Sequence, residues 1–106
     1  MNLAVAAYRL TAEFPKEELY GLTSQIRRSS SSIPANIAEG YGRESSGAYI
    51  LQLRVAQGSL KELETHLILA SRIGILSEGS LSPILEAAEA VGKMLRSLIR
   101  SIEASR

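Results

Sequence analysis

Apolar residues recur four and three positions apart over most of this chain. The most regular run consists of Tyr49, Leu53, Ala56, Leu60, Leu63, Leu67 and Ala70. This alternation places all of its members on one face of an α-helix and is typical of the buried seam of a helical bundle. Beside the seam lies a second apolar track, formed by Leu51, Val55, Gly58 and Leu69. A helix that is apolar on two flanks is expected to contact two neighbours.

A second run of the same spacing fills the C-terminal part of the chain. Its members are Leu81, Ile84 or Leu85, Ala88, Val91, Leu95, Leu98 and Ile102. The opposite face carries Glu86, Glu89, Lys93, Arg96 and Arg100. We interpret that face as solvated, with a helix-supporting ion pair between Glu89 and Lys93. Gly74 is suited to end the preceding helix, whereas either Ser77 or Ser82 is suited to cap this one.

The N-terminal part of the chain predicts two more helices. The first is short, with an apolar face of Leu3, Ala7, Leu10 and Phe14, and Pro15 stops it. The second is expected to begin near Glu17 and Glu18, because acidic residues after a proline favour a helix start.

The seam of the second helix is less regular than the others. It comprises Leu22, Ile26, Ser29, Ile33, Asn36 or Ile37, and Gly40. Because the seam crosses Pro34, we expect a kink there rather than a break. The alternative is that the serines at positions 29–32 form a loop. Ser45 or Ser46 is expected to cap the third helix.

Together these elements predict an all-α fold. Four helices joined by short turns are expected to form an antiparallel up-down-up-down four-helix bundle, with residues 1–106 as a single domain. The second apolar track on the third helix exceeds what one small bundle can cover, so we expect a homo-oligomer.

Composition narrows the function. The chain has 106 residues, no cysteine or aspartate, and one histidine, His66. A disulfide framework, a thiolate metal site and a Ser-His-Asp triad are therefore excluded, and no cofactor is expected. No aliphatic run, including residues 3–7 and 67–70, approaches the ~20 residues that a membrane span needs. The N-terminus lacks the features of a secretory signal, so we expect a cytoplasmic protein without a membrane partner.

Four polar residues lie on or beside the predicted seams. They are Asn36, Glu39, Glu62 and Glu64. Facing carboxylates could support acid-base chemistry, but the di-metal sites of helical bundles use Glu-x-x-His, which this chain lacks. We favour ion pairs with Arg27, Arg28 or Arg43 instead. In particular, we expect Glu39 to pair with a buried arginine, so that its removal would cost about 3–5 kcal/mol.

Four segments in the same order carry a resemblance to a known family. They are FPKEELYGL at 14–22, QIRRS at 25–29, SIPANIAEGYGR at 32–43 and GSLKELET at 58–65. These segments resemble the four-helix bundle proteins encoded in intervening sequences of bacterial 23S ribosomal RNA genes. The resemblance implies a left-handed antiparallel bundle that assembles as a homopentameric ring. Family members usually carry further residues, including an aromatic, before the position of Tyr8, so roughly two turns of the first helix are expected to be missing.

The family is similar in fold to the accessory variability protein of diversity-generating retroelements, a basic pentameric barrel that binds nucleic acid and a reverse transcriptase. This chain departs from that protein, because its net charge is only +1 and a small charge gives little non-specific attraction for nucleic acid.

Two functional hypotheses follow. The first is a non-enzymatic oligomeric scaffold with an RNA or protein partner and no small-molecule substrate. Its candidate nucleic-acid-binding residues are Arg27, Arg28, Arg43 and Arg54, which a ring would repeat into a band. The alternative use of these arginines is pairing with the glutamates. The second hypothesis is an enzyme that uses Glu39, Glu62 and Glu64, and it lacks a nucleophile-base pair.

Overall fold

Four α-helices make up the computed structural model, which describes residues 1–105. They are α1 (Asn2–Thr11), α2 (Ser24–Tyr41), α3 (Ser46–Arg72) and α4 (Glu78–Ala104). No strand occurs among the described residues. The molecule measures 47 × 23 × 18 Å, as expected when helices of 27 residues rise about 1.5 Å per residue. The prediction of an all-α fold with four helices is confirmed.

The core is built around α3, which packs against both α2 and α4, while α1 contacts α2 and α4. The predicted seam of α3 is buried from Leu53 to Ala70, and Tyr49 is half-buried at its end. In α4 the most buried positions are Ile84, Ala88, Gly92, Leu95 and Ile99. Ile84, Ala88 and Leu95 were predicted, whereas the predicted Val91, Leu98 and Ile102 are only half-buried, and the buried positions beside the first two are Gly92 and Ile99.

The start of α2 differs from the prediction. A 3-10 turn at Lys16–Glu18 and a π turn at Leu19–Thr23 precede the regular helix, which begins at Ser24 rather than near Glu17. Gly21 has non-helical dihedral angles (φ −104°, ψ −109°) and interrupts the α pattern. The backbone N–H of Leu22 instead donates to Oε1 of Glu18 at 3.4 Å, so a side chain replaces a helical hydrogen bond.

The serine run at 29–32 is helical, so the loop alternative is wrong, and α2 continues through Pro34 without a break. The hydroxyl of Ser29 donates to the carbonyl of Gln25 at 2.8 Å, and that of Ser30 donates to Arg27 at 3.0 Å. Such bonds to the preceding turn let small polar residues lie on the buried face of a helix. Ser29 and Ser30 are indeed 0% and 1% exposed.

The turn between α3 and α4 is a Schellman motif. Gly74 adopts φ +85°, which glycine tolerates without steric cost. The N–H of Ile75 donates to the carbonyl of Ala70 at 2.9 Å, and the N–H of Gly74 donates to Ser71 at 3.1 Å. These two bonds satisfy the last carbonyls of α3.

Serine side chains cap the N-termini of both long helices. Ser45 accepts from the backbone N–H of Ala48 at 3.1 Å, as predicted for the start of α3. Ser77 accepts from the N–H of Ser80 at 3.2 Å and caps α4. The alternative start at Ser82 is therefore wrong. No helix within residues 1–105 is long and apolar enough to cross a membrane.

Helices α2 and α3 approach closely at Gly40. A Cβ atom at this position would lie 2.9 Å from Cβ of Gln52 and 2.9 Å from Cδ1 of Tyr49. Real Cβ atoms do not approach other atoms so closely, so the absence of a side chain at Gly40 sets how near the two helices lie.

We expect Gly40→Ala to lower the free energy of unfolding by about 1–3 kcal/mol, because the added methyl forces the two helices apart. The matched control is Gly79→Ala in α4, where an added Cβ meets no atom within 4 Å. The control should leave stability unchanged or raise it by up to about 1 kcal/mol. Chemical denaturation followed by circular dichroism measures both. Equal stability of the two variants would contradict the close contact.

Candidate nucleic-acid interface on helices α2 and α3

Arg28 joins α2 to α3 through an ion pair with Glu62. Its Nη2 also donates to Oε1 of Gln25 at 2.7 Å. The side chain of Arg28 is 56% exposed and that of Glu62 is 37% exposed. Exposed pairs of this kind contribute about 0–1 kcal/mol, so Arg28 stays available to an outside anion.

Arg43 and Glu39 form an i,i+4 ion pair at the end of α2, with Nη2 of Arg43 2.6 Å from Oε1 of Glu39. Both side chains are exposed, that of Glu39 to 54%. Glu39 thus pairs with one of the arginines expected for it, but the expectation that the paired arginine is buried is wrong. The buried α2 residue next to it is Gly40, and position 39 lies outside the seam, where its carboxylate keeps its hydration.

Arg54 lies on α3 and faces α4. Its Nη2 is 3.6 Å from Oε2 of Glu103, and both side chains are about half exposed. Spacing along the chain does not indicate Glu103 as a partner, because the two residues are far apart in the sequence and only the packing of α3 on α4 brings them together.

Arg27 differs from the other three candidates. It is half-buried between α1 and α2, its Nε donates to Oγ1 of Thr11 at 2.9 Å, and its Cζ lies 5.0 Å from the ring centroid of Tyr8. Within residues 1–105 no carboxylate lies within 4.0 Å of it. Arg27 thus ties α1 to α2 by a hydrogen bond and a cation–π contact, which no sequence spacing indicated.

The predicted polar residue Asn36 belongs to a small network between α2 and α3. Its Nδ2 donates to the carbonyl of Ser32 at 2.7 Å and lies 2.9 Å from the Ser32 hydroxyl. That hydroxyl is 2.9 Å from the hydroxyl of Ser59 on α3. The network places a polar group at the helix interface with its hydrogen bonds satisfied, which fixes the pairing of the two helices.

The remaining polar candidates lie on α3. Glu64 is half-buried, and its Oε1 is 3.4 Å from Nζ of Lys61 without a hydrogen bond. Nδ1 of His66 lies 2.8 Å from the carbonyl of Glu62, one turn earlier. His66 is therefore bound to its own helix and orients no other candidate side chain.

The three glutamates of the enzyme hypothesis do not converge. Glu39, Glu62 and Glu64 each have a different basic side chain within 4.0 Å. Among residues 1–105, no group of three or more His, Cys, Asp or Glu side chains is placed to hold a metal ion. The arrangement that would distinguish an enzyme, an unpaired carboxylate cluster in a pocket, is not formed by these three residues.

Among residues 1–105, several apolar surfaces are exposed, and two of them are candidate contacts for another subunit. The first, which we call the α3 stripe, consists of Leu51, Val55, Gly58 and Leu69; its three side chains are 62%, 46% and 45% exposed. The second, the α1–α2 groove, has a volume of about 520 Å³. The groove is lined by Met1, Ala4, Val5, Tyr8, Ser31, Pro34, Ala35 and Ala38. Helical spacing in the sequence indicates the α3 stripe. It does not indicate the α1–α2 groove, because the groove forms only where α1 crosses α2.

We expect Glu39→Ala to change the free energy of unfolding by no more than about 0.5 kcal/mol, because an exposed i,i+4 pair contributes little. Thermal denaturation at low salt measures the change, with Glu44→Ala, an exposed glutamate in the following turn, as the control. A loss several times larger than that of the control would mean that Glu39 is buried in the protein in solution.

Comparisons with known proteins agree with this architecture. No curated protein matches the chain. A solved structure of a protein of unknown function from the S23 ribosomal protein family of Bacteroides thetaiotaomicron VPI-5482 is 27% identical, with 92% of each chain covered and a TM-score of 0.83. The family model of the 23S rRNA-intervening sequence proteins matches residues 1–97. The chain therefore belongs to the 23S rRNA-intervening sequence protein family.

Proposed function

We propose that this protein is a non-enzymatic oligomeric scaffold that associates with RNA or a ribonucleoprotein in the cytoplasm. The observation that carries the oligomer is the exposed α3 stripe. Leaving apolar surface in water costs roughly 25 cal/mol per Å², and extended apolar patches on small proteins usually mark interaction sites.

The proposed subunit is an antiparallel up-down-up-down bundle. Contacts between α2 and α3 support this orientation: Ser32 meets Ser59, and the ring of Tyr41 meets that of Tyr49. Residues later in α2 therefore contact residues earlier in α3, which is the pattern of two antiparallel helices. Contacts between α3 and α4 follow the same order, with Arg54 beside Glu103 and Leu60 beside Gly92.

The subunits are proposed to close into a ring. The α3 stripe and the α1–α2 groove are different surfaces formed by different helices, so a contact that joins one to the other is heterologous. Heterologous contacts produce a closed ring when the rotation between subunits divides a full circle. The number of five subunits comes from the resemblance to the family, not from these surfaces.

The RNA partner is supported by the family description, which links it to 23S rRNA, and by the S23 ribosomal protein family of the solved relative. Three of the four candidates, Arg28, Arg43 and Arg54, are exposed and form the arginine band of this proposal. Each makes a surface ion pair, and Arg28 also donates to Gln25. Phosphate oxygens can replace the carboxylates, because a guanidinium binds either group in the same bidentate geometry. In a ring, each arginine would recur in every subunit.

We expect sedimentation analysis to find a pentamer, and Leu51→Glu with Val55→Glu to dissociate it while the helical content is retained. Charged side chains cannot be buried in an apolar contact without a large desolvation cost. Met94→Glu is the control, since Met94 on α4 is 45% exposed and lies outside both surfaces. A monomeric wild-type protein at micromolar concentration would refute the oligomer.

We expect ribosomal RNA fragments to bind with an affinity that falls as salt rises, with a slope of about −0.7 per phosphate contact for single strands. The triple variant Arg28→Ala, Arg43→Ala, Arg54→Ala should lower both the affinity and the slope. A matched triple variant on α4, Lys93→Ala, Arg96→Ala, Arg100→Ala, removes the same charge from another exposed face.

Titration at two salt concentrations compares the wild-type protein with both triple variants. Equal loss in the two variants would indicate non-specific charge attraction and contradict the arginine band. Absence of binding at low salt would exclude RNA as the direct partner and leave a protein partner.

A further inference from the structure

Arg27 lines a small surface cavity at the junction between α1 and the turns that precede α2. The cavity has a volume of about 150 Å³. Its polar lining consists of Thr11, Lys16, Thr23 and Arg27, and the rest is apolar. Two cationic side chains and two hydroxyl-bearing residues therefore share one cavity, and no carboxylate-bearing residue lines it.

The guanidinium of Arg27 is held in place before any ligand arrives. One of its nitrogens, Nε, donates to Thr11 at 2.9 Å, and its plane lies near the ring of Tyr8. The Thr11 hydroxyl in turn donates to the carbonyl of Ala7 at 2.8 Å. A guanidinium has five N–H groups, so the four on its two Nη atoms remain for a further acceptor.

Nearby acidic residues do not neutralise this charge. Within the described part of the chain, Arg27 has no carboxylate within 4.0 Å. Glu13 and Glu17 adjoin lining residues in the sequence, but both are exposed and neither forms an ion pair with Arg27. Oε1 of Glu18 accepts the backbone N–H of Leu22 instead. Arg27 is thus a half-buried cation without an anionic partner, which is unfavourable.

We propose that this cavity binds a phosphate group. Arg27 supplies the planar pair of donors that matches two phosphate oxygens, Lys16 supplies a second positive charge, and the Thr23 hydroxyl supplies a neutral donor. A bound dianion would supply the counter-charge that Arg27 lacks and would also attract Lys16, which lines the same cavity. The site goes beyond the scaffold and its arginine band, since it lies within one subunit and needs neither oligomer nor RNA.

Isothermal titration calorimetry with inorganic phosphate tests the site, at an ionic strength held constant with sodium chloride. We expect saturable binding to the wild-type protein, weakened about tenfold or more by Arg27→Lys, which removes the planar fork. Lys16→Ala should weaken binding severalfold, and Lys93→Ala on α4 should leave it unchanged. Circular dichroism checks that every variant retains its helices.

Because Arg27 also attaches α1 to α2, the Lys16 variant carries the test if Arg27→Lys loses helical content. Lys16 is exposed, so its removal leaves the core intact. Absence of saturable binding by the wild-type protein up to about 10 mM phosphate would overturn the site. Equal weakening by Lys16→Ala and Lys93→Ala would overturn it as well, because a diffuse charge effect would then explain the binding.

The phosphate could be a free anion or the end of a nucleic-acid strand. A short single-stranded RNA with and without a 5′-phosphate distinguishes these sources. Binding that requires the 5′-phosphate and exceeds that of inorganic phosphate supports a strand end, whereas equal binding of both phosphates supports the free anion. RNA that binds equally with and without its 5′-phosphate, while inorganic phosphate does not bind, would overturn the site and leave the arginine band unaffected.

Discussion

The close packing of α2 on α3 is the contact on which the rest of this molecule depends. It is possible because small residues lie where the two helices meet: Gly40 has no room for a Cβ, and Ser32 and Ser59 approach to 2.9 Å between their hydroxyls. Buried hydroxyls are tolerated here because each finds a partner within the helix or across the contact. Helix α3 can then use its remaining apolar face against α4.

This packing explains the placement of the charges. The apolar side chains of α2 and α3 fill the contact, and the charged side chains of Arg28 and Glu62 lie partly exposed at its edge, where they form an ion pair. The pairs at these edges remain hydrated, so they contribute little to stability. They leave several arginines exposed, each beside a single carboxylate, as the proposed contact with RNA requires.

Arg27 is the exception, and its environment follows from the short α1. Helix α1 covers only part of α2, and it does so through Tyr8 and Thr11, which hold the guanidinium from one side. The cost of a partly buried arginine without a carboxylate is difficult to explain by stability alone. The same crossing of α1 over α2 creates the apolar groove at Tyr8, so one helix contact produces both an apolar surface and a cationic cavity.

The sequence by itself determined the number and type of the α-helices, the buried seam of α3, and its ends at Ser45 or Ser46 and at Gly74. These features depend on helical periodicity and local turn geometry, which are encoded within a few residues. The beginning of α2 was not predictable to the same degree, because a proline and acidic residues favour a helix start while Gly21 interrupts the α pattern several residues later.

Only the tertiary structure decided which charges pair between helices and which are buried, whereas the i,i+4 pair of Glu89 with Lys93 followed from spacing alone. Glu39 looked like the partner of a buried arginine because it adjoins the seam, yet one residue of helical rotation separates the buried Gly40 from an exposed carboxylate. The partners of Arg27 and Arg54 lie on other helices. Spacing along the chain does not indicate such partners. Local periodicity therefore gives the helices and their apolar faces, whereas pairing between distant side chains depends on the register and rotation of helices that have already packed.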